Sequence, residues 1–430
     1  MNRELRVLLD GRPVGTLARL VSGRLRFEYD DAYQGEPDPT PLSVSMPVQE
    51  RSHGHATVSP WLWGLLPDDT DVVRRWAREF GVSSDNPFSL LGTPIGEDCA
   101  GGVQFVPPGR IGSLLEEPGS IEWLTAGDVE VRLRQLRADA TAWLGDGRTE
   151  RSPAVLGRFS LAGRQRKTAL LLDGDRWGVP AGRIPTTHIL KPPIEGFRDQ
   201  ELNEHLCLDA AARAGLIAAR SRVVQFGSES AVVITRYDRR RISGQVMRVH
   251  QEDLCQALGV APDRKYQSEG GPGPAEICRL LRAVMPEAAA VASVRRFADA
   301  LIWNWIIAGS DAHAKNYSLL LAGRQVRLAP LYDITSALPY ENERHVRLAM
   351  KVGDSYDMVG YRNPWPRTAS SLGLDEAWLT ARVSDLCQRA PAAFAEAAEE
   401  QAIVDLGRPS TQRLVNLVAR RAARCARLLG

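Results

Sequence analysis

The chain has 430 residues, 44% of them hydrophobic and 25% charged, an ordinary globular composition with length for two or three domains. Its 54 basic side chains stand against 52 acidic ones, a net charge of +2, so no overall field draws it to nucleic acid or to a membrane surface. The six cysteines, at 99, 207, 255, 278, 387 and 425, form no C-x-x-C pair and have no histidine at ligand spacing, which argues against a disulfide scaffold or a zinc site.

The opening MNRELRVLLDGRPVG alternates like a strand and turns at a glycine, without the basic and long apolar regions of a secretory signal. No stretch approaches about 18 uninterrupted apolar residues, so no membrane contact is expected and the cytoplasm is the expected location. Strand-like runs at 4–9, 14–19, 24–29 and 42–46 and a helical stretch at 70–81 predict a small α+β unit over residues 1–106. The Pro- and Gly-rich segment VPPGRIGSLLEEPGSI, 106–121, reads as a linker, and 126–143 as a helical piece, making 107–150 the expected connection. A strand-rich stretch then predicts a β-rich unit at 151–240. A mostly helical unit is expected at 241–430, with helices at 291–308, 374–389, 391–404 and 410–428. The expected class is α+β, with no internal repeat.

Of the 54 basic residues only five are lysine, at 167, 191, 265, 315 and 351. An ammonium is a compact rotatable charge and a guanidinium a planar fork, so in a chain that defaults to arginine a lysine marks a site that needs the former.

The polar loop from Ser160 through Gly163 to Lys167 precedes the strand Thr168 to Asp173. A glycine there lets backbone N–H groups approach phosphate oxygens, although the Walker signature is absent. A second strand, 186–191, ends in Lys191 and is cut off by Pro192-Pro193, and Glu204 follows inside a helical run at 200–214. A strand lysine oriented by a helical glutamate is how protein kinases contact the α/β-phosphates, while an edge strand with a solvated lysine would read the same way alone. After the Trp-rich helix 301–307 comes Asp311-Ala-His-Ala-Lys-Asn316. Its D-x-x-x-x-N spacing suits an aspartate that accepts a hydroxyl proton and an asparagine that ligates magnesium. Asp333 follows seventeen residues after Asn316, in a strand-turn context suited to a second metal carboxylate. Each piece could be a common turn, but their order along the chain is that of phosphoryl-transfer chemistry. A metal hydrolase built on His313 lacks a second histidine at ligand spacing, and a serine hydrolase lacks its G-x-S-x-G elbow.

At these residues the chain resembles the HipA family of bacterial toxin kinases over nearly its whole length. The resemblance is carried by the Ser160–Lys167 loop, Pro185-Thr-Thr-His-Ile-Leu-Lys191, Tyr237-Asp-Arg-Arg240, Gln251-Glu-Asp-Leu-Cys-Gln256, Lys265-Tyr-Gln-Ser-Glu-Gly-Gly-Pro272, Asp311 to Asn316, and Pro330-Leu-Tyr-Asp-Ile334. In the N-terminal unit it is carried by Leu42-Ser-Val-Ser-Met-Pro47, Gly64-Leu-Leu-Pro67 and Gly96 to Gln104. It implies a protein-kinase-like bilobal fold, a β-rich N-lobe and a mostly helical C-lobe, with a small N-terminal α+β accessory domain. It implies ATP and Mg2+ as cofactors and a serine/threonine target on another protein, such as an aminoacyl-tRNA synthetase, glutamyl-tRNA synthetase being the best known. It also implies a helix-turn-helix antitoxin of the HipB type as partner, with DNA reached mainly through that partner. A catalytically weak co-repressor and a small-metabolite kinase are the competing expectations.

Carried over by residue, the resemblance makes Asp311 the catalytic base, Asn316 and Asp333 the magnesium ligands, and Ser160 a self-phosphorylated serine that switches the enzyme off. ATP would be held by Ala162, Gly163, Arg164, Gln165, Arg166 and Lys167 of the loop. Lys191, the Thr235–Arg236–Tyr237 hinge, His313, Lys315, Asn316, Tyr332 and Asp333 would complete its site. The loop departs from the family's usual Gly-Ala-Gln-Glu-Lys at Arg164 and Arg166, which sets three cations among four positions. Thr235 stands where a glutamate is often found, a change of little consequence if only its backbone is used.

Overall fold

In the computed structural model, which describes residues 3–138, 161–163, 165–360 and 362–429, the alternating N-terminal runs build a five-stranded antiparallel sheet. Its order is Ser52–His53, Leu25–Tyr29, Arg12–Arg19, Glu4–Leu9, Val103–Val106. Strand period decides the faces: Leu5, Val7 and Leu9 enter the core with Phe27, Trp61 and Phe105, while Leu8 points the other way, onto Val106 and Leu114. The run 42–46 is not a strand. Ser43 and Met46 form an isolated bridge, and the Tyr29 hydroxyl pins the turn by donating to Met46 O and accepting from Leu42 N–H, both at 2.7 Å. Helix His55–Leu65 escaped the sequence reading because Pro60, Thr57 and Val58 disfavour a helix. Burial of Val58, Trp61, Leu62 and Leu65 at helical spacing outweighs that preference, at about 1.5–3 kcal/mol for each large apolar side chain.

The second sheet has six antiparallel strands in the order Ser221–Phe226, Glu229–Thr235, His188–Lys191, Thr168–Asp173, Arg176–Ala181, Ser120–Leu124. Its edge strand Ser120–Leu124 belongs to the stretch expected as a linker, which also carries helix Ile111–Glu116 with Leu114 buried. Helix Ala126–Ala138 covers the sheet through Val129 and Leu133, packed with Leu170, Leu190 and Val233. Helix Gln200–Arg213, buried along most of its length, lies between this sheet and the helical lobe.

The C-terminal lobe is built from helices Pro274–Val284, Glu287–Ile307, Trp365–Leu372, Glu376–Ala398 and Pro409–Arg427 around Phe297, Trp303, Trp365 and Phe394. The runs 374–389 and 391–404 merge into one helix that passes through Pro391 and ends at Ala398. An interior proline costs about 3 kcal/mol. Leu379, Val383, Leu386, Ala390, Phe394 and Ala397, all buried on this helix, offset it. A three-stranded sheet, His250–Asp253, Ser318–Ala322 and Gln325–Leu328, and a two-stranded one, Arg347–Val352 with Ser355–Asp357, are set into this mostly helical lobe. The protein is thus α+β and bilobal, with a small α+β unit in front. Among the described residues no helix is long and apolar enough to cross a membrane.

One turn aims the central helix at the cleft. Glu287–Ile307 ends with Ala308 at φ 57, and a Cβ on Gly309 would sit 2.2 Å from Asn304 Oδ1. Asn304 cannot yield, being buried and donating through Nδ2 to Ala300 O at 2.9 Å. Glycine at 309 therefore lets the chain reverse directly into residues 311–316.

Candidate active site

A cavity of about 700 Å³ lies between the six-stranded sheet and the helical lobe, lined by Lys167, Lys191, Tyr237, Asp311, Asn316 and Asp333 among others. Four of the five lysines, 167, 191, 265 and 315, line it, and Lys351 does not.

Lys191 ends the strand His188–Lys191, held between Glu229–Thr235 and Thr168–Asp173. Its Nζ donates to Glu204 Oε1 and to Asp333 Oδ1, each at 2.7 Å. Burial opposes the charge on Lys191, but Asp333 and Glu204 outweigh it and raise its pKa above the ordinary value. Burial likewise opposes ionisation of Asp333, yet Lys191 and Lys167 hold its carboxyl well below the usual range. Asp333 sits in the left-handed region at φ 56.

In the loop before Thr168, Lys167 Nζ donates to Ala162 O at 2.5 Å, and burial followed by nearby Lys191 brings its pKa down to about 8. Gly163 adopts φ 111, a backbone conformation that favours glycine. Gln165 Nε2 donates to Pro192 O at 3.3 Å. Arg166 Nη1 donates to Leu136 O at 3.0 Å, so its guanidinium is directed to helix Ala126–Ala138. Ser160 and Arg164 lie outside the described residues.

Across the cavity, Asp311 is 60% exposed and accepts the Tyr266 hydroxyl hydrogen bond. His313 Nε2 is 3.8 Å from Asp311 Oδ1, but burial, then Lys265, drives the imidazole pKa down to about 3, so the ring is neutral at physiological pH. Asn316 donates through Nδ2 to Asp311 O at 2.6 Å, which leaves its amide oxygen as the end available to a cation. Among the described residues no three His, Cys, Asp or Glu side chains gather as a metal centre. Asn316 and ionised Asp333 line the same cavity and carry oxygen donors of the kind magnesium uses when phosphate oxygens and water complete its shell.

At the back, Thr235 and Arg236 donate their N–H groups to Arg220 O and Thr187 O, each at 2.9 Å. The rings of Tyr237 and Tyr332 lie 5.5 Å apart, and the Tyr332 hydroxyl donates to Lys315 O at 2.7 Å. The Arg236 side chain is buried: it pairs with Asp238 at 2.7 Å and donates to Cys99 O at 2.9 Å.

Two residues of the N-terminal unit that the sequence analysis gave no role reach this region. Asp98 is buried, accepts from Thr186 Oγ1 at 2.6 Å, and is ringed by Arg236, Arg239 and Arg248. Asp68 contacts Lys265 and Lys315. Asp68 directly follows the quoted Gly64-Leu-Leu-Pro67, but an aspartate after a proline reads as a turn former until its partners are known.

Residues 159–394 match the family described as HipA-like C-terminal domain, and residues 5–106 the one described as HipA N-terminal domain. The chain is 33% identical to the Sinorhizobium fredii protein Y4mE, named as a kinase, over 98% of each. It is 30% identical to the serine/threonine-protein kinase toxin HipA of Shewanella oneidensis, over 83% of this chain and 80% of that one. A chain of the Shewanella oneidensis MR-1 toxin-antitoxin complex of HipA, HipB and its operator DNA superposes with a TM-score of 0.82, at 25% identity and 99% coverage of both. Relatives named as kinases imply use of ATP.

Proposed function

The chain belongs to the HipA family, and from that premise we propose that it is a toxin serine/threonine protein kinase, transferring the γ-phosphate of ATP to another protein with Mg2+ as cofactor. The observation that carries this reading is the ammonium of Lys191, bonded to both Glu204 and Asp333, in one cavity with the Asp311–Asn316 loop.

Asp311 accepts the proton of the attacking hydroxyl. Its exposure suits a macromolecular substrate, and its present partner is itself a hydroxyl, that of Tyr266. Lys191, oriented by Glu204, takes the α/β-phosphates, and the Ala162–Lys167 loop with its buried ammonium closes over them. Magnesium would be held by Asn316 and Asp333 and would supply neutralising charge to the phosphate oxygens. Adenine recognition falls to the backbone from Thr235 to Tyr237, with Tyr332, His313 and Lys315 completing the cleft. In this reading the accessory domain is 1–106 and the C-lobe 241–430, while the N-lobe expected at 151–240 also takes in strand Ser120–Leu124 and helix Ala126–Ala138 from the expected 107–150 connection.

The same reading supplies partners and control. The protein acts in the cytoplasm on an aminoacyl-tRNA synthetase, such as glutamyl-tRNA synthetase, and so stops translation and growth. A helix-turn-helix antitoxin like the HipB of the Shewanella complex neutralises it and carries it to operator DNA. The net charge of +2 supports DNA contact through a partner. A phosphate on Ser160, two positions before Ala162 in the sequence, adds nearly two negative charges and turns the enzyme off.

The test is incubation of the purified chain with γ-labelled MgATP and a bacterial lysate. Label in one or a few protein bands is expected, with phosphate on Ser160 found by mass spectrometry. Label confined to a small molecule overturns the protein-kinase reading, and absence of transfer overturns phosphoryl-transfer chemistry.

A further inference from the structure

Asp68 belongs to the N-terminal unit, in the turn between helices His55–Leu65 and Thr70–Glu79. Its Oδ2 accepts from Lys265 Nζ at 2.6 Å and its Oδ1 from Lys315 Nζ at 2.5 Å. The three side chains are 10%, 9% and 3% exposed. Its own backbone N–H donates to Gly163 O at 3.4 Å. One residue from outside the two lobes thus touches the phosphate loop, the Lys265 segment and the catalytic loop.

What it holds is close to the chemistry. Lys315 directly precedes Asn316, and Lys265 neighbours Tyr266, whose hydroxyl reaches Asp311. Ala314 N–H donates to Lys265 O at 3.4 Å, so the two lysine segments are also joined through their backbones. Two ammonium groups buried side by side repel each other unless a carboxylate sits between them. Burial opposes ionisation of Asp68, and Lys315 and Lys265 overcome it, keeping its carboxyl below the usual range.

We propose that Asp68 is a positioning residue of the phosphoryl-transfer site, supplied by the N-terminal unit. It fixes Lys265 and Lys315, and through them the backbone that carries Asp311 and Asn316, so the two lobes alone do not make a complete site. The inference rests on the phosphoryl-transfer reading above. Asp68 is one of several attachments of the N-terminal unit. Asp98 with Arg236, Arg239 and Arg248, and Glu252 with Trp61 Nε1 at 3.1 Å, already fasten it. Asp68 also lines the cavity, as do both its lysine partners.

The test uses the full chain and reads kcat and the ATP KM for transfer from γ-labelled MgATP into the chain itself and into myelin basic protein. Asp68→Asn keeps the shape and removes the charge. It is expected to lower kcat by roughly tenfold or more while the ATP KM stays within about threefold, the signature of a group that acts on the reacting geometry rather than on nucleotide binding. Asp68→Glu, which restores the charge, is expected to recover part of the loss. Where Asp68→Asn does not fold, the pair Asp68→Asn with Lys265→Met, which removes an ammonium together with its partner, is read in the same way. A kcat within about twofold of the native value, even with a lowered melting temperature, makes Asp68 merely structural and overturns the proposal. Absence of transfer by the unsubstituted chain overturns the kinase reading and this proposal with it.

Discussion

The ammonium of Lys191 meets a Glu204 carboxylate that is fully buried, at 2.7 Å, and its second partner Asp333 lies on the far side of the cleft at the same distance. Sheet, helix and catalytic lobe are therefore tied at one nitrogen.

Lys191→Met leaves Glu204 buried without its cation and frees Asp333. Breaking a buried pair from one side costs about 3–5 kcal/mol, so a lower midpoint of urea unfolding is expected together with loss of phosphate transfer. Glu204→Gln leaves Lys191 its bond to Asp333, so stability falls less while transfer still drops. Undiminished incorporation of label by Lys191→Met would remove the lysine from the mechanism.

Asp311→Asn should separate chemistry from stability. The side chain is 60% exposed, so unfolding should change by no more than about 0.5 kcal/mol. Transfer should nevertheless fall by about 10²–10⁴-fold, the usual worth of a general base. Growth arrest on expression without an antitoxin should vanish with it, and arrest that persists would favour a binding role.

The pKa of Lys167, brought down to about 8 by burial and by Lys191, gives nucleotide binding a pH dependence. Below pH 8 the ammonium is charged and attracts phosphate, and above it the charge is lost, so ATP affinity should fall between pH 7 and about 9.5. The folded value lies below the ordinary 10.5, so the unfolded chain binds this proton more tightly. This group's contribution to stability therefore rises with pH from about 8 to about 10.5. Calorimetric titration of ATP across this range checks the first sign, and Lys167→Arg, charged throughout, should flatten the profile.

Asp98→Asn removes the shared countercharge of Arg236, Arg239 and Arg248, all buried. A stability loss of about 3–5 kcal/mol is expected. ATP affinity should fall with it, since Arg236 is the middle residue of the proposed adenine hinge. Native ATP binding in a destabilised Asp98→Asn chain would show that the hinge holds its shape without the Asp98 carboxylate.

The sequence by itself determined the order of the parts proposed for the chemistry. Lys191, Glu204, Asp311, Asn316 and Asp333 could be read in turn because strand lysine, helix glutamate and the D-x-x-x-x-N spacing are local patterns. The scarcity of lysine pointed the same way, and four of the five meet in the cleft. Elements with strong periodicity, such as Glu4–Leu9 and Pro409–Arg427, were legible for the same reason. Where burial overrides propensity, local reading failed: His55–Leu65 is helical through Pro60 and Glu376–Ala398 through Pro391, while residues 42–46 are a turn pinned by Tyr29. Only the tertiary structure could join Asp68 to Lys265 and Lys315, positions 197 and 247 residues away. It also directed Arg166 to Leu136 and buried the Arg236 side chain against Asp98. Those pairings answer the cost of burying charge, which depends on what surrounds a residue in space and leaves no periodic mark along the chain.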